Sequence, residues 1–204
     1  VKYDLKYLIG IDEAGRGPIA GPVSVGACAF LTPHAKKLFR GVKESKQLTE
    51  EERELWYERI CRARDDGHVN FYVTLRSHKV IDTRGLSYAI KTGLRASLES
   101  LGLNPEESLV LLDGGLKAPD HYRYQKTIIK GDEKETIIAL ASICAKVTRD
   151  RKMREWGKKH PEYKFEVHKG YGTPGHYEAL RKYGMLPLHR VSFIKGFEGY
   201  KFDL

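Results

Sequence analysis

Three apolar, strand-length runs in this chain each finish in a carboxylate beside glycine. Leu8 to Ile11 runs into Asp12-Glu13 and the turn Gly15-Arg16-Gly17. Leu109 to Leu112 runs into Asp113 before Gly114-Gly115, and Ile128-Ile129-Lys130-Gly131 leads to Asp132. Short apolar runs bounded by glycine read as buried strands, and α/β sheets place their ligand sites at strand ends. The full set of strands expected is Tyr7 to Asp12, Val23 to Leu31, Val69 to Leu75, Leu109 to Leu112 and Tyr124 to Ile129. Between them, Thr49-Glu50-Glu51-Glu52 matches a capping box that opens a helix to about Asp66. Leu86 to Leu101 reads as an amphipathic helix, a long helical pattern spans about Glu133 to Lys158, and Thr173-Pro174 reads as an N-cap followed by Pro at the first helical position. Five strands with interspersed helices make an α/β fold whose C-terminal third is mostly helical.

Charge narrows the class of partner. The 204 residues carry 36 Lys and Arg against 27 Asp and Glu, a net +9 that favours a polyanion. Seven basic residues against two acids fall between Lys146 and Lys159. Within this region Ser142, Lys146 and Arg149 share a helical face by their spacing, and that face is expected to track phosphates near Asp132, or else to be a solvated face with Arg149 paired to Asp150 or Glu155. No secretory leader is visible at the N-terminus, and the richest apolar stretch, Ile137 to Val147, is far shorter than a bilayer span, so a cytoplasmic protein without membrane contact is expected. Cys28, Cys61 and Cys144 form no CxxC pair and read as buried thiols.

The acids carry the chemistry. Adjacent strand residues point to opposite faces, so Asp12 and Glu13 converge only where the chain bends, as Gly15 and Gly17 permit. Four clustered carboxylates repel unless cations neutralise them, and oxygen-only ligands suit Mg²⁺ or Mn²⁺. Taken alone, Asp113 also reads as a turn former and Asp132 as a cap for the helix from Glu133. Asp12-Glu13 has no such cap role and carries a burial penalty at the end of an apolar strand.

Gly10-Ile11-Asp12-Glu13-Ala14-Gly15-Arg16-Gly17-Pro18 with Ala20-Gly21-Pro22-Val23 resembles the N-terminal signature of the type 2 ribonucleases H, the bacterial ribonuclease HII family. Ser45-Lys46 with Leu48, Lys130-Gly131-Asp132, Ala141-Ser142-Ile143 through Asp150, His168-Lys169-Gly170-Tyr171-Gly172-Thr173, and His189-Arg190 with Ser192-Phe193 resemble its further motifs in order. The resemblance implies a ribonuclease H-like fold with a mixed five-stranded sheet flanked by helices. It implies one catalytic domain over 1–204, of which about 155–204 forms a C-terminal helical extension. It also implies a two-metal Mg²⁺ or Mn²⁺ site of Asp12, Glu13, Asp113 and Asp132, and cleavage on the 5′ side of a ribonucleotide. The implied substrates are RNA-DNA hybrids and DNA duplexes containing ribonucleotides, acted on by a monomer.

In the family so resembled, Gly15-Arg16-Gly17 senses the 2′-hydroxyl at an RNA-DNA junction and Tyr171 packs on the deoxyribose that follows; glycine also serves simple turns. Ser45, Lys46, Ser142, Lys146, Arg149 and Lys169 complete the expected substrate contacts, with Lys46 the best-supported phosphate ligand. Glu44, Leu140, His168 and Val191 depart from the family pattern. His168, His176 and His189 read as surface or hydrogen-bonded histidines rather than metal ligands. Two other readings remain: a basic nucleic-acid-binding module whose acids are structural, and a type 3 enzyme, disfavoured by Arg16 where that group tends to carry Lys. The tail Phe197 to Leu204 does not match the common clamp-binding peptide, and clamp recruitment stays open.

Overall fold

The computed structural model describes residues 5–194. The tail from Phe197, on which clamp recruitment would turn, lies outside them. Five strands form one mixed sheet: β1 (Tyr7–Ala14), β2 (Val23–Phe30), β3 (Val69–Arg76), β4 (Ser108–Asp113) and β5 (Gln125–Ile128), in the order β3-β2-β1-β4-β5. β1 is antiparallel to β2 and parallel to β4, so the carboxyl ends of β1 and β4 lie together at one end of the sheet. The helices are α1 (Ala35–Leu38), α2 (Glu50–Asp65), α3 (His78–Arg84), α4 (Leu86–Ser100), α5 (Gly131–Lys134), α6 (Thr136–Lys159), α7 (Phe165–His168) and α8 (Pro174–Tyr183).

Side-chain alternation along the strands builds two cores. Ile9, Ile11, Val25, Val110 and Leu112 pack beneath Ile90, Leu94 and Leu98 of α4. Cys28, Phe30 and Leu111 pack on the other face against Ile137, Leu140, Ala141 and Cys144 of α6. Cys28 and Cys144 are buried thiols and Cys61 is half-buried. The approach of α6 to the sheet depends on absent side chains: a Cβ on Gly10 would lie 2.3 Å from the Ile137 carbonyl oxygen, and one on Gly26 2.5 Å from that of Ala141. A third cluster joins Ile19 and Ala20 to Met153, Tyr163, Phe165 and Leu180, and so fastens the C-terminal helices to the segment after β1.

The Thr49 capping box is present on both sides, and Thr173 accepts from the His176 amide at the start of α8. Two helical features differ from the sequence reading. The helix expected from Glu133 is two helices, because Glu135 is extended at φ −121° and ψ 113°. An additional helix, α3, follows Ser77, whose side chain caps it by accepting from the Val80 amide.

Candidate active site

The acids gather at the carboxyl end of the sheet, but the pleat divides them. Glu13 still pairs with Val25 and Ala14 with Ser24, so β1 runs straight through both acids without the bend that convergence would need. Asp12 has the parity of Gly10 and faces α6, and Asp113 has the parity of Leu111 and faces the same way. Glu13 has the parity of Ile11 and faces the α4 side.

Asp12, Glu13 and Asp113 each accept a hydrogen bond, and Asp132 faces the Lys46 ammonium. Asp12 Oδ1 accepts from the Glu13 amide at 2.7 Å, and Asp113 Oδ1 accepts from the Gly131 amide at 2.6 Å. Glu13 Oε1 accepts from Arg16 Nη1 at 2.9 Å, and Lys46 Nζ lies 3.5 Å from Asp132 Oδ2. Asp132 is not the N-cap of a helix, since Lys130 holds that position at the start of α5 with φ 56°. Among the described residues no three Asp, Glu, His or Cys side chains are grouped closely enough to hold one ion.

The donor set nevertheless suits a hard divalent cation. Glu13 Oε2 and Asp132 Oδ2 are buried and take part in no hydrogen bond, a costly state for carboxylate oxygens that a cation relieves. Asp12 is 5 % exposed, and its carboxyl is pushed up to about 8. Burial is the largest cause; the Ser142 side chain and the Glu13 amide oppose it, while the Glu13 and Asp113 carboxylates reinforce it.

Ser142 Oγ is 2.8 Å from Ser45 Oγ, so α6 and the Ser45–Gln47 turn meet beside Asp12. Arg53 steadies that turn by donating to the carbonyls of Ser45 at 2.9 Å and Leu48 at 2.5 Å. Lys46 is exposed above it. Glu44, a departure from the family pattern, has its carboxyl raised by partial burial and then by the neighbouring Asp132.

Three expected phosphate contacts are placed otherwise. Arg149 is fully buried, and its Nε donates to the Pro22 carbonyl at 2.9 Å and its Nη2 to that of Ala20 at 3.3 Å. It therefore does not share an exposed face with Ser142, because the loop after β1 closes over it. Lys146 donates to Asp150 at 2.9 Å. Lys169 is 8 % exposed, with Nζ 3.0 Å from Glu50 Oε2 and donating to the Glu166 carbonyl. The basic run between Lys146 and Lys159 is largely answered by acids, since Arg151 pairs with Glu54 and Arg154 with Glu50 and Glu54 of α2.

The turn after β1 is the most tightly specified part of the site. Gly15 has φ 90°, and a Cβ there would lie 2.1 Å from Arg149 Nε. Arg190 donates from Nη2 to the Gly15 carbonyl at 2.7 Å, from Nη1 to that of Arg16 at 3.0 Å and from Nε to that of Gly21 at 2.9 Å. Burial, then the nearby Arg149 guanidinium, brings Arg190 down to about 9. The sequence marked Arg190 only as part of a motif; no local signal told that it would be buried against a turn 175 residues away. Tyr171 is 43 % exposed, and its Cε1 lies 3.7 Å from where a Gly17 Cβ would be. The turn and the tyrosine therefore form one surface.

Behind Tyr171 stand three histidines. His176 Nδ1 is 2.8 Å from the Tyr171 carbonyl, His176 Nε2 is 3.0 Å from His189 Nε2, and the His168 ring stacks on that of His176 at 4.2 Å. Because a carbonyl only accepts, His176 Nδ1 carries the proton and its Nε2 accepts from His189 Nε2. His189 Nδ1 lies 2.9 Å from the Leu186 amide nitrogen and 3.0 Å from the Leu186 carbonyl oxygen.

The described helices include none long and apolar enough to cross a membrane. The family model described as Ribonuclease HII matches residues 9–196. A Ribonuclease HII of Caldicellulosiruptor bescii is 43 % identical over 190 residues, covering 93 % of this chain and 87 % of that protein. One from Acetivibrio thermocellus is 43 % identical over 94 % of this chain and 71 % of its own length. Among solved structures, the RNase HII in a PCNA:RNase HII complex from Archaeoglobus fulgidus matches with a TM-score of 0.71 and 26 % identity, covering 92 % of this chain and 95 % of that one. An RNase HIII in complex with Mn²⁺ matches with a TM-score of 0.67 at 21 % identity, over 94 % of this chain and 68 % of that one, a likeness in fold.

Proposed function

The chain belongs to the ribonuclease HII family of metal-dependent endoribonucleases, and from that premise we propose that it hydrolyses the RNA strand of RNA-DNA hybrids and cuts on the 5′ side of ribonucleotides embedded in duplex DNA. The products are a 3′-hydroxyl and a 5′-phosphate, and the cellular roles are ribonucleotide excision and removal of RNA primers. The observation that carries the reading is the placement of Asp12, Asp113 and Asp132 at one end of the sheet, with Glu13 at the same end on the other face, beside a turn whose backbone is pinned by Arg190.

Asp12, Glu13, Asp113 and Asp132 would hold two divalent ions, Mg²⁺ or Mn²⁺. When bound, these supply acidification of the attacking water and neutralisation of charge on the departing 3′ oxygen. The chain's own residues do the selecting. Gly15 and Gly17 present backbone with no side chain in the way, which lets the turn approach a sugar edge and sense its 2′-hydroxyl. Arg190 fixes that backbone from behind through the Gly15 and Arg16 carbonyls, while Arg149 holds the Ala20 and Pro22 carbonyls that follow, which limits the reorganisation binding requires. The exposed Tyr171 ring flanks the turn as a platform for the next sugar, and Lys46, exposed beside Asp132, meets a phosphate. The enzyme acts as a cytoplasmic monomer, and recruitment by a sliding clamp, as in the archaeal complex, is one way it reaches replicated DNA.

The test is a DNA duplex with one embedded ribonucleotide. The wild type nicks it 5′ to that residue in Mg²⁺ or Mn²⁺, and Asp113→Asn binds the duplex but does not cut. Full activity of Asp113→Asn would overturn the metal assignment. Cleavage of long hybrids without the single-ribonucleotide nick would overturn the roles given to Gly15, Gly17 and Tyr171.

A further inference from the structure

A cleft of about 730 Å³ opens on the α4 side of the sheet, outside the acid cluster. One wall is the exposed face of α4, with Tyr88, Lys91 and Arg95; the other is the loop after β4, with Leu116, Lys117 and Pro119. Arg16, which donates to Glu13 of the candidate active site, also lines the cleft and so joins the two.

The position of the cleft follows from topology. Arg76 donates to the Thr92 carbonyl and Ser97 to the Val25 carbonyl, which seats α4 on the sheet end where Val25 pairs with Glu13. The loop forming the other wall starts directly after Asp113. Ligands bind α/β sheets in crevices at such strand ends.

The chemistry of the walls is mixed in a specific way. Arg16, Lys91, Arg95 and Lys117 line the cleft against one lining acid, Asp120, which is 2.8 Å from Lys117. Arg95 pairs with Glu99 at 2.7 Å on its outer side, a solvent-exposed pair that a stronger anion displaces at little cost. Lys91, exposed, has no ion-pair partner within 4 Å among the described residues. Lys91 and Arg95 are one helical turn apart, about 6 Å of rise. Between the charges lie apolar surfaces of Leu116, Pro119 and the half-exposed Tyr88 ring. Apolar floor with regularly placed cations suits a chain of alternating sugars and phosphates, and a small inorganic anion would leave most of the floor unused.

We propose that this cleft binds the phosphodiester backbone of the substrate duplex beyond the cut, with Lys91 and Arg95 on successive phosphates and Arg16 at the passage to the acids. The proposal rests on the nuclease reading and extends the footprint of the enzyme to the face of the sheet opposite α6.

The experiment compares the full chain with Lys91→Ala/Arg95→Ala on a duplex carrying one ribonucleotide. The control, Lys36→Ala/Lys37→Ala, removes the same charge from α1, which follows the opposite end of β2. The cleft variant is expected to raise KM about tenfold with kcat within twofold. It is also expected to reduce the slope of log affinity against log salt by about two, while the control changes neither. Equal KM and equal slope in cleft variant and control would overturn the proposal. Should the double variant melt more than a few degrees early, exposed Lys91→Ala alone is read instead: the slope falls by about one, and no change overturns the proposal. A wild type that binds the duplex but does not nick it disproves the nuclease reading, and the salt slopes still decide the cleft.

Discussion

The guanidinium of Arg190 donates to the Gly15 carbonyl at 2.7 Å, joining the end of the described chain to the turn beside the acids. It also holds Arg16 and Gly21 through its other nitrogens, and it is fully buried. Arg190→Lys keeps a charge but cannot reach three carbonyls in a fixed fork. The expected cost is roughly 2–4 kcal/mol of stability. Activity on a single embedded ribonucleotide should fall more than activity on a long hybrid, where many registers can be cut. Denaturant unfolding and the ratio of the two activities check this; an unchanged ratio would show that Arg190 supports the fold alone.

Gly15 and Gly17 separate structure from recognition within one turn. Gly15→Ala meets both a positive φ and the Arg149 side chain at 2.1 Å, and is expected to cost roughly 2–4 kcal/mol. Gly17→Ala meets nothing nearer than Tyr171 Cε1 at 3.7 Å, and Gly17 lies outside the positive-φ glycines. Its melting temperature should stay within about 2 °C of wild type. Under the proposed reading its cleavage at an embedded ribonucleotide still drops about tenfold or more, because the new methyl stands where the sugar edge approaches. Wild-type cleavage by Gly17→Ala would remove that turn from the recognition surface.

Much of this organisation was legible in the sequence. The apolar runs ending in Asp12-Glu13 and Asp113 located β1, β4 and the candidate site, since strand burial and strand-end carboxylates are local signals, whereas the run before Asp132 supplies only the last residue of β5 and Asp132 itself lies in α5. The Thr49 capping box and the Thr173-Pro174 helix start were equally local. What escaped was set at long range. Arg149 has the same spacing from Ser142 as a solvent-facing phosphate contact, and only the closure of Ala20 and Pro22 over α6 makes it a buried support. The charge surplus of α6 could not reveal that Glu50 and Glu54 of α2 answer it. The opposing directions of Asp12 and Glu13 followed from strand parity, but whether the chain bent to bring them together depended on the pairing of β1 with β2.

The histidines behind Tyr171 predict acid sensitivity. Burial is the main cause that takes His176 down to about 4 and His189 down to about 3. Both are depressed below the value of about 6.5 in the unfolded chain, so the unfolded state takes up protons first as pH falls. The stability from this pair is complete well above pH 6.5 and is lost progressively as pH falls through 6.5 toward about 3. Between pH 7 and pH 5 the loss should amount to roughly 2–4 kcal/mol. His189→Gln, with an amide that can still donate to His176 Nε2, should flatten that slope in denaturant titrations at the two pH values. A variant with the wild-type slope would remove the pair as its origin.

Asp12 predicts the opposite trend in metal-free protein. Its carboxyl stands at about 8 in the fold against 3.8 in the ordinary chain, raised chiefly by burial. A carboxyl raised in the folded state makes the unfolded state the better place for its charge, so this residue costs the fold nothing below about pH 4. The penalty then grows as pH rises, reaching its full value above pH 8. Asp12→Asn removes the ionisation and should match the wild type at pH 4 while exceeding its stability by roughly 2–5 kcal/mol at pH 8.5 in the presence of EDTA. Mg²⁺ should narrow that gap by stabilising the wild-type carboxylate, and the affinity of the wild type for Mg²⁺ should rise with pH up to about 8, because binding releases the Asp12 proton. Melting curves over pH 4 to 8.5 with and without Mg²⁺ check both expectations. Parallel curves for wild type and Asp12→Asn would show that this carboxyl is ionised throughout, and with it that burial does not govern the acid nearest the proposed metal site.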